Sequence, residues 1–327
     1  VYIIYGKLGK IIKIIWRSSQ KNHYLIYRLL NIILFLITLI SLFSIKCKYI
    51  DLKLIGLTFI CIPQVHYIYA YANSDAWGLS MEVFLFLLAV TMVDKSVQSW
   101  SLKEIILLGL FTGLVLVSKK PYLLSLILPY MLVGMQVLKA IRLNQIETTK
   151  WLVSRLLIMV LVVMIITLPL KVIYPMTQGN FKQAIEQMQE NKAKNGFKPS
   201  NPTHPGYRLS SKGETYFGML IKKPWIALTL ASFYGAYGYM SVFNPLWIYF
   251  LAGFGILSNF YLTLLGITHQ WHRLNEYLQL CFILSPFIII INLFGSIYHS
   301  LHVDFQPQGR YLFGSLIPIS LILTGTF

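Results

Sequence analysis

Charge is what this sequence has least of. Only 12% of its 327 residues are Asp, Glu, Lys or Arg, about half the share of an average soluble domain. Acids are the scarcer sign, with 11 Asp plus Glu against 28 Lys plus Arg. So little charge cannot clothe a water-exposed surface, which excludes a cytoplasmic enzyme, a coiled coil and a disordered tail. Cysteine is also rare. Cys47, Cys61 and Cys281 show no CxxC spacing, which excludes a disulfide scaffold and reads as three free thiols. There is no P-loop, dinucleotide fingerprint, serine nucleophile elbow or HExxH, and no repeat of 20–50 residues. Apolar and polar residues do not alternate, so a transmembrane β-barrel is excluded too.

What abounds is apolar residues: 56% of the chain, with mean hydropathy +0.64. They bunch into runs of about 17–25, the helical length that crosses a ~30 Å hydrocarbon core. The fold class is therefore all-α, a polytopic helical membrane protein with about nine spans. Residues 1–24 are basic and amphipathic, with Lys7, Lys10, Lys13 and Arg17 at helical spacing, and suit the membrane interface. A first transmembrane bundle fills 25–173, with spans near 25–45, 52–71, 75–93, 103–118, 121–140 and 151–173. A long extracytoplasmic loop, 174–223, carries a surface helix at 181–194 and a Pro/Gly-rich second half. Residues 224–327 hold a re-entrant or interfacial segment (225–243) and a second bundle, with spans near 245–266, 277–297 and 311–327. The chain starts at Val1 and stops at Phe327 inside an apolar run, so it reads as a fragment lacking further spans.

The net charge of +17 does not point to nucleic acid, because the cations sit between apolar runs. They orient the spans instead. With 25–45 running outside to inside, the inner short loops hold ten cations (Lys46, Lys48, Lys53, Lys95, Lys103, Lys139, Arg142, Lys150, Arg155, Arg273). The outer ones hold three (Lys119, Lys120, Arg310), as the positive-inside rule requires. Asn73, Asp75, Lys119, Lys120, the long loop, the Tyr/Gly segment and Arg310 then share the outer face of the membrane, in a multi-pass protein.

Several residues at that face have chemistry beyond anchoring. Asn73-Ser74-Asp75 opens a span, where capping is the plain reading; Glu82, seven residues on, shares the Asp75 face, and a carboxylate that deep faces a cavity or a partner. Lys119 and Lys120 are either snorkelling cations or a point-charge clamp on phosphate. Arg310, between Gly309 and Tyr311, has the planar fork that grips phosphate. Tyr234, Tyr237 and Tyr311 offer flat ring faces and a hydroxyl edge to a sugar. His299, His302 and Asp304 are spaced for a divalent cation, but His269 and His272 repeat the spacing on the inner side. A divalent cation stays possible, and neither a metal ligand set nor a cofactor is assigned.

The order Arg28-Leu29-Leu30, Asn73-Ser74-Asp75, Lys119-Lys120-Pro121-Tyr122, Ser232-Phe233-Tyr234-Gly235-Ala236-Tyr237-Gly238 and Gln308-Gly309-Arg310-Tyr311 resembles the bacterial membrane-protein family catalogued as domain of unknown function 2142. The likeness runs from about 25 to 327. That family is grouped with the GT-C-type glycosyltransferases, so the resemblance implies transfer of a sugar from a polyprenyl-phosphate donor to a cell-envelope glycan, lipid or protein, with Arg310, Lys119 and Lys120 holding the phosphate. GT-C-type enzymes carry their key acid in the first outer loop. The resemblance therefore implies that the catalytic acid lies outside this sequence, leaving Asp75 a weak candidate. The rival reading is a non-enzymatic polysaccharide or lipid export component.

Overall fold

The computed structural model describes residues 23–71, 73–143, 146–173, 181–192, 198, 200, 209–238 and 240–324. Helix α1 (His23–Ser44) is followed by a bent pair, α2 (Leu52–Cys61) and α3 (Pro63–Tyr69). Then come α4 (Ser74–Val93), α5 (Leu102–Leu116) and a 3₁₀ segment, Lys120–Leu126, that leads into α6 (Ile127–Arg142). Helices α7 (Ile146–Leu168) and α8 (Phe181–Lys192) follow, then α9 (Trp225–Gly235), a hairpin of β1 (Ala236–Tyr237) and β2 (Val242–Phe243), α10 (Leu246–Gln270) and α11 (Glu276–His302). A second 3₁₀ segment, Gly309–Ser315, leads into α12 (Leu316–Thr324). Among the described residues β structure is limited to that two-residue antiparallel ladder. The protein is all-α and polytopic, as the apolar runs predict.

Among the described residues six helices are long and apolar enough to cross a membrane, or seven if α2 and α3 form one span. The remaining two expected spans are shorter here: α5 has 15 residues, and the last apolar helix covers Gly309–Thr324. The bend between α2 and α3 is 82°. It falls at Ile62, which is extended, just before Pro63 at the first turn of α3. Proline disfavours helix in the residue before it and cannot donate to the turn below. The freed carbonyl of Ile60 bonds instead with the His66 ring, 2.7 Å away. The pair is a broken span. Helices α1 and α4 run parallel, with contacts at Asn31–Asn73, Thr38–Ser80 and Cys47–Asp94, so the chain between them must return from one end of the bundle to the other.

Helix α4 is the axis. Its residues are buried on nearly every side against α1, α5 and α6, whereas α7 and α10 show large apolar side chains outward, including Leu157, Ile165, Leu246 and Phe254. Lipid tails leave no hydrophobic drive between helices, so close backbone approach does the joining. Gly109 and Gly113, one turn apart on α5, let α7 in: a Cβ at Gly109 would stand 2.8 Å from the Met159 carbonyl, and one at Gly113 2.9 Å from Ile166.

Polar groups collect at the two ends. One end gathers loops 45–51, 94–101 and 271–276: Lys95 pairs with Glu104 at 2.6 Å, Lys139 pairs with Glu276, and the Lys48 N–H donates to Asp94 at 3.0 Å. The other end gathers 70–71, 73–75, 118–122, 236–238, 240–243 and 303–311. Helix α9, at 11 residues about 16 Å long, is too short to cross and lies at this second end, where Trp225 donates to Ser300 at 2.8 Å. The last part of the long loop is not free-standing. Leu209 and Met219 are buried against Trp225 and Leu301, so 209–223 packs onto this end as a cover. The surface helix of the loop covers Phe181–Lys192. The basic segment 1–24 falls outside the described residues except for 23–24, which begin α1.

Candidate functional site

The site begins with a cap. Asn73 is extended and its side-chain oxygen accepts from the Asp75 N–H at 3.1 Å, starting α4. Its side-chain nitrogen donates to the Tyr71 hydroxyl at 2.7 Å. Two groups of α1 tie the same turn down: Asn31 donates to the Tyr71 carbonyl and Arg28 to the Ala70 carbonyl, each at 2.6 Å. Capping thus belongs to Asn73, and the carboxylate of Asp75 is left for other partners.

Those partners are cations from distant segments. Lys119 Nζ stands 2.8 Å from Asp75 Oδ1, and Arg310 stands 3.7 Å from Oδ2. Asp75 is 2% exposed, while Lys119 and Arg310 are 34% and 22% exposed. The carboxylate is therefore the floor and the two cations the rim. A buried carboxylate needs such pairing, and its place in the first turn of α4 adds the favourable end of the helix dipole. Two cations against one acid leave a local charge of about +1, which favours an anion.

Two polar atoms of the cluster have no hydrogen-bond partner, Asp75 Oδ2 and Arg310 Nε, and neither do the buried Ser74 Oγ and Tyr122 hydroxyl of the adjoining segments. Buried polar groups are nearly always bonded, so two orphans within one ion cluster mark a place built for more than its own side chains. Arg310 also donates to the Tyr71 hydroxyl at 3.3 Å and lies 5.5 Å from the Tyr311 ring centre.

Arg310 is held by backbone. The Gly309 N–H donates to Ser232 Oγ at 2.7 Å, and a Cβ at Gly309 would fall on the backbone of Phe233. A Cβ at Gly314 would fall on the Pro121 carbonyl. The 3₁₀ segment 309–315 is clasped between α9 and 120–126, so it aims Arg310 only if both glycines stay bare. Gly309→Ala should destabilise the protein by about 1–3 kcal/mol, the usual penalty of overpacking. Thermal unfolding in detergent should show it, alongside a wild-type-like Gly253→Ala, whose added Cβ meets nothing within 4 Å.

Beside the cluster is an aromatic wall. The Tyr237 ring meets Tyr67 edge-on at 5.1 Å, and Tyr67 lies 4.9 Å from Tyr71. The Gly238 N–H donates to the Tyr67 hydroxyl and the Ala236 N–H to Gln64, both at 3.0 Å. Gly238 needs its freedom here, with φ +55°. The hairpin so pinned borders an open cavity of about 400 Å³ lined by Ile60, Pro63, His66, Tyr67, Ala70 and Tyr237.

Of the residues singled out in the sequence, Asp75, Lys119 and Arg310 come together, with Tyr311 against Arg310 and Tyr237 at the wall. Lys120 does not join them; it is exposed at the start of its 3₁₀ segment. Tyr234 packs against Tyr249 at 6.3 Å, away from the cluster. His302 pairs with the Tyr216 hydroxyl at 2.9 Å and Asp304 with Gln306. Among the described residues no three His, Cys, Asp or Glu side chains are grouped to hold a metal ion. The sequence reading missed Asn31, Gln64, Tyr67 and Tyr71. The signal for the first two was there, since an amide inside an apolar span demands a partner.

Residues 1–323 match the family described as predicted membrane protein, DUF2142. The match takes in every motif of the site and reaches further toward the N-terminus than those motifs do. No curated protein and no solved structure matches the chain.

Proposed function

The chain belongs to this family of predicted membrane proteins, and on that premise we propose that it is a GT-C-like glycosyltransferase. It would move a sugar from a polyprenyl-phosphate donor to a cell-envelope glycan, lipid or protein at the outer face of the bacterial cytoplasmic membrane. The observation that supports this most is the buried Asp75 beneath Lys119 and Arg310. The acceptor hydroxyl attacks the anomeric carbon, the bond from that carbon to the phosphate oxygen breaks, and the phosphate leaves with the electron pair. The resemblance puts the key acid outside this sequence, but the burial of Asp75 beneath two cations favours it here as the general base that takes the hydroxyl proton. Charge then balances at each stage. The donor phosphodiester carries −1 and meets a cluster of +1; the leaving lipid phosphate approaches −2 as protonation of Asp75 raises the cluster to +2. Cations aimed where charge grows are the usual device for lowering such a barrier. Tyr237 and Tyr67 give the sugar a ring wall.

The reading requires the cluster to face outward. In a variant with Cys47, Cys61 and Cys281 replaced, a single cysteine at exposed Ser241 should react with a membrane-impermeant thiol reagent in intact cells. One at exposed Ser96, at the opposite end, should react only after the cells are opened. Labelling of Ser96 alone would put the cluster in the cytoplasm and remove this reading.

A further inference from the structure

Glu82 lies a further two turns down α4, 1% exposed, and neither of its carboxyl oxygens has a hydrogen-bond partner. No step of the transfer reaction above uses it. Its surroundings tie it to Asp75. Residues 75, 78 and 82 follow i, i+3, i+7 spacing, so they line one face of the helix. The middle position is Gly78, where a Cβ would stand 2.6 Å from the Tyr122 ring. The missing side chain lets Tyr122 lie across the gap between the two acids. Tyr122 is fully buried and its hydroxyl has no hydrogen-bond partner. The Tyr69 hydroxyl is itself bonded to Ser80 Oγ at 2.7 Å, which bonds Thr38 at 2.9 Å. Those three hydroxyls satisfy one another, whereas Glu82 and Tyr122 do not.

Seven residues of helix separate the acids by about 10 Å along the axis. That is too far for a direct bond and suits a hydroxyl with a buried water in the gap. We propose that Glu82 shares a proton with Asp75 through the Tyr122 hydroxyl, so that the two carboxyls work as one buried acid pair. Tyr122 accepts a proton from one side and passes its own to the other, so no charge is created on the way. The use of the pair rests on the transferase reading: at rest the shared proton sits on Glu82, which leaves Asp75 ionised to take the hydroxyl proton, and Asp75 returns that proton to water once the product has left. The sharing itself does not rest on that reading.

Infrared spectra of the purified protein in lipid nanodiscs, recorded across pH, test the sharing with no substrate present. The wild type should show a protonated-carboxyl stretch that Glu82→Gln removes. Asp75→Asn and Tyr122→Phe should each shift that band, and Glu82→Asp should keep it at a moved frequency. A wild type with no such band, a band untouched by Glu82→Gln, or one unmoved by Tyr122→Phe overturns the proposal. With transfer measured as well, Glu82→Gln should shift the pH at which kcat falls and leave KM unchanged, because Asp75 then titrates without its partner. A wild type that shows the infrared coupling and no transfer overturns the transferase reading and leaves the acid pair standing.

Discussion

Arg310→Lys should insert and fold like the wild type and lose most transfer from a polyprenyl-phosphate sugar. The substitution keeps the charge and removes the planar fork. If Arg310 were only an anchor in an aromatic belt, a lysine would serve as well. Its position argues for more. It is aimed by a backbone clasp at Gly309, is paired with Asp75 at 3.7 Å, and keeps a buried Nε–H without a partner. A lysine can restore the attraction to Asp75 but cannot offer two parallel N–H groups to one phosphate. One charge-assisted hydrogen bond contributes about 1.5–3 kcal/mol, so the loss corresponds to roughly 10–100-fold. Transfer in membranes, at matched protein levels, for wild type, Arg310→Lys and Arg310→Ala reads it directly. A lysine variant close to wild type would return Arg310 to an anchoring role.

Asp75→Asn should have the larger effect, a fall in kcat of about 10²–10⁴-fold, the range lost when a general base is removed. The sign on KM is different. Removing the carboxylate raises the local charge from about +1 to +2, so an anionic donor should bind as well as before or more tightly. A merely structural role for Asp75 predicts another pattern, with KM rising as the two cations turn away. Stability should fall only modestly. Stranding a fully buried partner costs about 3–5 kcal/mol, but Lys119 and Arg310 are 34% and 22% exposed and can face water once released. A fall in kcat with KM unchanged or lowered, in protein that still melts cooperatively, is the expected result. Full activity in Asp75→Asn would remove the base.

Hydropathy made most of the architecture legible, because a membrane span is a one-dimensional signal. Helices α1, α4, α6, α7, α10 and α11 coincide with long apolar runs. The run at 52–71 hid its bend, although Pro63 marked where a helix would break. The end-to-end count of cations separated the loops into the same two sets that the fold places at opposite ends. The site itself was only half legible. Asp75, Lys119 and Arg310 are far apart in the chain, and no local pattern states that they touch. That follows only from three loops sharing one end of a bundle. Lys119 and Lys120 were indistinguishable as neighbours in sequence, and the 3₁₀ segment that begins at Lys120 sends one inward and the other out. The backbone that Gly309 meets, that of Phe233, is 76 residues away in sequence. Tyr71 passed as the apolar end of a span, whereas its hydroxyl sits between Asn73 and Arg310.

The most direct measurement uses purified protein in sealed proteoliposomes with a radiolabelled polyprenyl-phosphate sugar and a mixture of cell-envelope acceptors. A glycosyltransferase breaks the bond between sugar and phosphate. Label should leave the lipid fraction for an acceptor, with free polyprenyl phosphate released in equal amount, and Asp75→Asn should stop both. Labelled lipid that moves between leaflets with its sugar–phosphate bond intact would contradict the account and make the protein a carrier.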